Sequence, residues 1–156
     1  MRIVRPTGLS IVPKDRIENR TEFEIIASRK PTICAPDLEE ILERNGFGHG
    51  KQVGTVLLSE TAPGDFRMES FFPFGTRFEQ HADFRKRGLG LLVFSKIVPA
   101  LMKNGGKTLL FKLEEKKVSS HALKFLKNLG MELDVPYPLG EWKAKIGAAM
   151  AAGKRT

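Results

Sequence analysis

Cysteine is almost absent from this chain of 156 residues, and long apolar runs are absent altogether. The single cysteine, Cys34, excludes an intrachain disulfide and leaves no cysteine cluster for a metal. No apolar run approaches the roughly 18 residues that a membrane helix needs, and residues 1–6 lack the apolar core of a signal peptide. We therefore expect a cytoplasmic protein that has no membrane segment.

The chain also lacks internal repeats and any linker that would divide it. Hydrophobic residues make up 41% of the chain and charged residues 28%, which is ordinary for a globular protein and too apolar for a disordered one. A chain of this length is sufficient to bury one core. We expect a single domain over residues 1–156, in which residues 141–156 form a C-terminal helix and a basic tail.

Positive charge is in excess, with a net charge of +8 and a pI near 9.8. Such a balance favours anionic partners, which include nucleic acid, acidic protein surfaces and phosphorylated cofactors. Lysines crowd residues 96–127, and Lys154 and Arg155 add a small cluster near the end. The alternative is that most of these cations only form a solvated basic surface.

The first half of the chain reads as mostly β. Apolar alternation, turn residues and one amphipathic stretch with acidic residues in its first turn decide the assignments. The expected elements are a first strand such as residues 2–5 followed by a loop, a short helix at 14–20, a strand at 22–27, a helix at 36–44, a strand at 52–60, and strands at 66–74 and 76–84 that complete an antiparallel meander.

The second half alternates helices and strands, which predicts an α/β (α+β) fold with a mixed sheet. Proline at position 99 is expected to kink the first of these helices. The expected elements are a helix from residue 90 to about 103, an apolar strand at 108–113, a helix capped by Ser119 or Ser120 and stopped by Gly130, a strand at 131–135, and a helix at 141–152.

Residues 85–90, which read Arg-Lys-Arg-Gly-Leu-Gly, stand between the meander and the helix that follows. Glycines let the backbone approach a ligand closely, and the free N–H groups of a helix's first turn add partial positive charge. With three adjacent cations, this stretch predicts a cradle for a pyrophosphate. We call residues 85–90 the cradle.

The cradle and a second motif resemble the GNAT superfamily of acyl-coenzyme A-dependent N-acetyltransferases. The family's signature is Arg or Gln, two residues, Gly, one residue, then Gly or Ala, and residues 85–90 fit it. Phe84 matches the aromatic residue that often precedes the signature. Downstream, Ala122, Phe125 and the Gly130-Met131 pair fall into register with a second family pattern. The resemblance is clear over residues 76–135.

The resemblance implies the acyl-CoA N-acyltransferase fold, with a mixed, mostly antiparallel sheet flanked by helices, and acetyl-CoA as cosubstrate. It implies that the backbone amides of residues 86–91 hold the pyrophosphate and that the pantetheine arm runs along the strand at 78–81. The residues expected to contact the cosubstrate are Phe78, Gln80, Arg85, Lys86, Arg87, Gly88, Leu89, Gly90, Leu91, Ser119 and Phe125.

The same resemblance implies that an amine attacks the thioester directly, helped by a general base and an acid. Glu79 and His81, on one face of the expected strand, are the candidate bases, and Glu69 is a weaker one. Leu126 replaces the tyrosine that many members use as the acid, and Ser119 replaces an asparagine. Tyr137, the only tyrosine, could substitute, although a structural role is the competing interpretation.

The sequence leaves other functions open. One alternative is a coenzyme A-binding protein with reduced chemistry. Another is a nucleic-acid-associated basic module, which is less favoured because the chain shows neither an aromatic stacking platform nor a helix-turn-helix pattern. Dimers are common in the family, so a homodimer is one expectation. His49 and His121 are expected at the surface and Cys34 in the interior, while the acceptor amine is undetermined.

Overall fold

A computed structural model describes residues 6–34, 38–72, 89–111 and 125–152. The named elements, in chain order, are β1 (Gly8–Pro13), β2 (Arg20–Ser28), α1 (Leu38–Arg44), β3 (Gln52–Ala62), β4 (Asp65–Phe72), α2 (Leu89–Lys103), β5 (Thr108–Phe111), β6 (Tyr137–Pro138) and α3 (Leu139–Ala151). A further helical turn covers residues 125–128. Within these ranges, no helix is long and apolar enough to cross a membrane.

The strands form one mixed sheet, in the order β1-β2-β3-β4-β5-β6. The first four strands pair antiparallel with their neighbours, and β6 pairs antiparallel with β5. β5 lies parallel to β4, with Asp65 opposite Thr108 and Met68 opposite Phe111. The prediction of a mixed sheet flanked by helices is therefore confirmed at the level of an α+β architecture whose sheet is mostly antiparallel.

The two faces of the sheet differ in polarity because side chains alternate along each strand. The register aligns Leu58, Met68 and Phe111 in one row of the buried face. On the opposite face, Ser59 stands opposite Arg67, and charged or half-buried residues follow on the other strands. One face therefore belongs to the core and the other carries most of the polar side chains of the sheet.

Helices cover the apolar face around Phe111. Its ring lies 5.6 Å from that of Phe94 on α2, 6.1 Å from that of Phe125 and 5.3 Å from that of Trp142 on α3. Trp142 is fully buried, and its indole Nε1 donates a hydrogen bond of 2.9 Å to the backbone oxygen of Leu109. These aromatic contacts join α2, α3 and the helical turn at 125–128 to β5.

Several predicted elements agree with the structure. The strands at 22–27, 52–60 and 66–74, the helices at 36–44, 90–103 and 141–152, and the start of the strand at 108–113 all have counterparts, with ends shifted by a few residues. Pro99 lies inside α2, and the kink expected there stays a prediction. Gly130, with φ +70°, ends the helical turn at 125–128 as expected. The strands expected at 2–5 and 76–84 lie outside the described residues.

The short helix predicted at residues 14–20 is wrong. This stretch is the end of the β1–β2 hairpin, in which the backbone N–H of Lys14 donates to the oxygen of Glu22 and Ile17 pairs with Arg20 across a turn. Ile17 is 72% exposed, so no apolar face exists on which a helix could pack. The hairpin forms instead of the helix because the helix prediction depended on weak residue propensities, whereas the hairpin gains cross-strand hydrogen bonds.

The strand predicted at residues 131–135 is also wrong. The N–H of Met131 closes the preceding helical turn by donating to the oxygen of Leu126, and the N–H of Asp134 donates to Phe111. Asp134 adopts φ +59°, which interrupts an extended chain. The residues that pair with β5 as a strand are therefore Tyr137 and Pro138, which follow the predicted strand.

Gly8 provides a test of how tightly β1 is packed. A Cβ at this position would clash with the backbone oxygen of Ile33 and lie 2.7 Å from Cβ of Pro31, so the backbone must move to accommodate Gly8→Ala. We expect the free energy of unfolding to fall by about 1–3 kcal/mol, as for other overpacked sites. Urea denaturation monitored by circular dichroism measures this change.

Gly147→Ala on α3 is the matched control, because nothing lies within 4 Å of the added methyl group. Removing a glycine from a helix interior should raise the free energy of unfolding by about 0.5–1 kcal/mol. Equal effects of the two substitutions would contradict the packing described around Gly8.

Candidate functional site

The carboxyl ends of β4 and β5 lie at the same edge of the sheet, because these two strands are parallel. α2 lies between them in the sequence and packs on the core face. Its C-terminal end meets the amino end of β5, where the N–H of Gly106 donates to the oxygen of Leu101. Its first half meets the other end of β5, where the ring of Phe94 packs on that of Phe111. The first turn of α2 is therefore directed toward the carboxyl edge of the two strands.

The first turn of α2, which is directed toward this edge, contains the end of the cradle motif. The helix begins at Leu89 and Gly90, the last two residues of the cradle. Leu91 is 1% exposed, so its side chain belongs to the core and only its backbone could contribute to a ligand site. Arg85, Lys86, Arg87 and Gly88 lie outside the described residues. A helix start at the carboxyl ends of parallel strands is a common position for a phosphate site.

β4 contains an irregularity next to this edge. Leu57 pairs with Ser70 and Leu58 with Met68, so Glu69 is an extra residue on β4 at a bulge. Bulges bend a strand and re-aim a side chain, and they are frequent beside active sites. Met68 is also the last residue of β4 that pairs with β5. The bulge therefore places Glu69 where the described pairing between the two parallel strands ends.

Ser59 and Arg67 hold the carboxylate of Glu69. Oε1 accepts a hydrogen bond of 2.5 Å from Oγ of Ser59, which is 3% exposed. The same oxygen accepts bonds of 2.9 Å from Nε and 2.6 Å from Nη2 of Arg67. Charge-assisted bonds of this kind fix an ionised carboxylate in place. Before this oxygen could take a proton from an amine, Ser59 or Arg67 would have to give up part of its contact.

Sequence reasoning missed Ser59 and Arg67. The spacing of Arg67 and Glu69 was a usable signal, since residues two apart on a strand share a face. Ser59 gave none, because its contact with Glu69 depends on the β3–β4 register and on the bulge. A single sequence does not display either feature.

Tyr137, the candidate acid, lies in β6 and is half-buried. Its hydroxyl oxygen accepts a hydrogen bond of 3.0 Å from the backbone N–H of Glu132, and its ring meets Trp142 edge-on at 6.2 Å. The hydrogen bond braces the loop between the helical turn and β6, and the ring contact joins β6 to α3. Leu126, at the position where the family often has a tyrosine, is 2% exposed and belongs to the core.

The remaining candidates divide into two groups. Phe125 is 6% exposed and packs 5.4 Å from Phe94, so it contributes to the aromatic core. The candidate bases and the other expected contacts of the pantetheine arm lie outside the described residues; they are Phe78, Glu79, Gln80, His81 and Ser119. Their roles stay predictions. His121 also lies outside the described residues, so its expected surface position stays a prediction.

His49 and Cys34 are both at the surface of the protein. His49 is exposed, as expected, and its Nδ1 accepts a hydrogen bond of 3.2 Å from the N–H of Arg29. Cys34 is exposed, which corrects the expectation that it is a small buried residue. The neighbouring Ile33 points inward instead and bridges Leu9.

Charge on the polar face of the sheet is largely paired. Lys14 lies 2.8 Å from Glu24 and 3.6 Å from Glu22. The hydrogen bond to Glu24, followed by the attraction of both carboxylates, raises the pKa of Lys14 above its ordinary value of 10.5. Among the described residues, no group of three or more His, Cys, Asp or Glu side chains could hold a metal ion.

Comparisons with known proteins give no independent identification. The chain matches no protein-family model, no curated protein and no solved structure.

Proposed function

We propose that this protein is an acetyl-CoA-dependent N-acetyltransferase that acts on a primary amine. The observation that carries the proposal is the β4–α2–β5 unit. It directs the first turn of α2 toward the carboxyl edge of two parallel strands, and the residues that open this helix complete the cradle motif. The mixed, mostly antiparallel sheet is compatible with the acyl-CoA N-acyltransferase fold that the motifs imply.

The cradle would hold the pyrophosphate of acetyl-CoA through backbone amides and through the charges of Arg85 and Arg87. The neutral amine attacks the thioester carbonyl, so a carbon–nitrogen bond forms and the carbon–sulfur bond breaks. The amine gives up a proton to a base, and the departing thiolate takes one up. Positioning the two reactants can supply roughly 7–11 kcal/mol of the barrier reduction.

Glu79 and His81 remain the proposed bases. The described contacts favour a different role for Glu69, whose Oε1 is occupied by Ser59 and Arg67. An ionised carboxylate fixed at a bulge can orient a cationic amine before the amine loses its proton. Tyr137 is less suited to act as the acid because its hydroxyl braces the loop at Glu132.

Thermal melting with and without acetyl-CoA tests the proposal. At about 100 times the dissociation constant, the ligand should add about 2.7 kcal/mol to the free energy of unfolding. Adenosine diphosphate ribose, which offers a pyrophosphate without pantetheine, is the control for a general phosphate site. An unchanged melting temperature in saturating acetyl-CoA would refute the proposal. Release of free thiol with a panel of amines then separates an enzyme from a protein that only binds coenzyme A.

A further inference from the structure

Four of the eight described cations in residues 6–72 pair with a described carboxylate, whereas none of the described cations from residue 89 onward does. In residues 6–72, Arg16 contacts Glu60, Arg44 contacts Glu40 and Arg67 contacts Glu69, in addition to the pairs of Lys14. The described residues from 89 onward carry only lysines as cations, and no ion pair joins them to a described carboxylate; these lysines are Lys96, Lys103, Lys107, Lys127, Lys143 and Lys145.

The backbone positions of three of these lysines lie near one corner of the helical layer. The N–H of Leu139, the first residue of α3, donates to the backbone oxygen of Lys107, so α3 begins beside the amino end of β5. Lys103 lies in the last turn of α2, which ends at the same place. Lys143 follows Leu139 by four residues, which is about 6 Å along the helix axis. All three side chains are exposed.

Lys96 extends this corner along α2. It precedes Lys103 by seven residues, so the two lie on the same side of the helix, about 10 Å apart along the axis. Lys96 is also exposed. We define Lys96, Lys103, Lys107 and Lys143 as the lysine surface. Glu141 in the first turn of α3 and Asp65, which accepts a hydrogen bond from Thr108 beside Lys107, reduce the charge of this surface. Four lysines still leave it with a positive net charge.

We propose that the lysine surface docks on the phosphate backbone of a nucleic-acid duplex. A duplex carries about one negative charge per 1.7 Å of its axis, so a rigid row of lysines releases several counterions on binding. The two helices that carry Lys96, Lys103 and Lys143 are fixed, because Phe94 on α2 and Trp142 on α3 anchor them to β5. Docking is therefore electrostatic and independent of base sequence.

The described side chains argue against two other anionic surfaces. Single strands are usually held by exposed aromatic rings, yet the large exposed apolar residues of the described chain are Val12, Ile17, Met102 and Met150. A helix that lies in a membrane buries its apolar face in lipid. The apolar faces of α2 and α3 are already buried in the protein core.

The end of the lysine surface at Lys103 is separated in space from the proposed acetyl-CoA site. The cradle leads into the first turn of α2, whereas Lys103 lies in its last turn, about 20 Å away along the helix. Duplex binding therefore does not require the acetyl-CoA site, and saturating acetyl-CoA should leave it unchanged. The inference consequently stands or falls separately from the proposed function.

Fluorescence anisotropy with a labelled duplex DNA of about 20 base pairs tests the proposal across a salt series. Four phosphate contacts predict that the affinity falls about 100-fold between about 50 and 200 mM salt. In the double variant Lys103→Ala and Lys143→Ala, the slope of log affinity against log salt should fall in magnitude by about 2. The control, Lys14→Ala with Arg44→Ala, removes the same charge from cations that are already paired, and its slope should match that of the unaltered protein.

Four outcomes would overturn the proposal. They are undetectable duplex binding at about 50 mM salt, equal loss of slope in the control variant, tighter binding to a single strand of the same sequence, and tighter binding to vesicles that contain phosphatidylserine. Circular dichroism melts of both double variants verify that each is folded. Since all four substituted side chains are exposed, both melts should match that of the unaltered protein.

Discussion

Trp142→Ala is expected to lower the free energy of unfolding by about 3–5 kcal/mol, the range for removal of a large aromatic side chain from a core. The indole is fully buried and stacks on Phe111 at 5.3 Å. Its removal leaves a cavity between α3 and β5 and takes the N–H donor away from Leu109. For a chain of this size, the melting temperature should fall by roughly 6–20 °C. Circular dichroism is the appropriate probe, because the variant loses the only tryptophan.

Trp142→Phe separates the two causes. This variant keeps an aromatic ring against Phe111 and removes the hydrogen bond to Leu109, so we expect a smaller loss of about 1–3 kcal/mol. Met150→Ala on the same helix is the control, since Met150 is 40% exposed and should change the free energy of unfolding by less than about 0.5 kcal/mol. A loss for Trp142→Ala no larger than that of the control would show that α3 does not anchor on β5.

The sequence predicted those elements whose signal is local. Strand β3 and helices α1 and α2 have strong apolar periodicity and identifiable ends, so their assignment did not depend on partners. The hairpin end at residues 14–20 and the chain at 131–135 were misassigned because hydrogen bonds to distant residues decide them. Glu22 accepts from Lys14 in the first case, and Phe111 accepts from Asp134 in the second.

The candidate site was predicted unevenly for the same reason. The cradle is a contiguous motif, and the order of elements predicted a helix and then a strand after it. The parallel pairing of β4 with β5 was not predicted, because the strand expected directly before the cradle was the one at 76–84. The contacts of Glu69 require the register of β3 against β4 and a bulge that gives no single-sequence signal. The lysine surface forms because α3 begins beside Lys107. The backbone hydrogen bond from Leu139 to Lys107 that fixes this position joins residues 32 apart in the chain. Sequence reasoning identified the lysines but not their grouping.

Gly88→Val is expected to weaken acetyl-CoA binding by about 100-fold, which corresponds to about 2.7 kcal/mol. The physical reason is that, under the proposed function, the cradle would hold a pyrophosphate by the close approach of backbone amides. A branched side chain at the first glycine of the motif restricts the backbone and fills the space that the phosphate would occupy. Loss of one or two charge-assisted hydrogen bonds accounts for an effect of this size. Isothermal titration calorimetry measures the affinity directly.

Gly147→Val on α3 is the matched control, because it is the same chemical change far along the chain from the cradle and the added Cβ meets open space there. It should leave the affinity for acetyl-CoA unchanged. If Gly88→Val fails to fold, Arg85→Ala with Arg87→Ala replaces it, and removal of two phosphate-binding charges should weaken binding by at least about tenfold. Affinities equal to that of the unaltered protein would show that acetyl-CoA, if it binds, does not use the cradle. The β4–α2–β5 unit would then need another explanation than a pyrophosphate site.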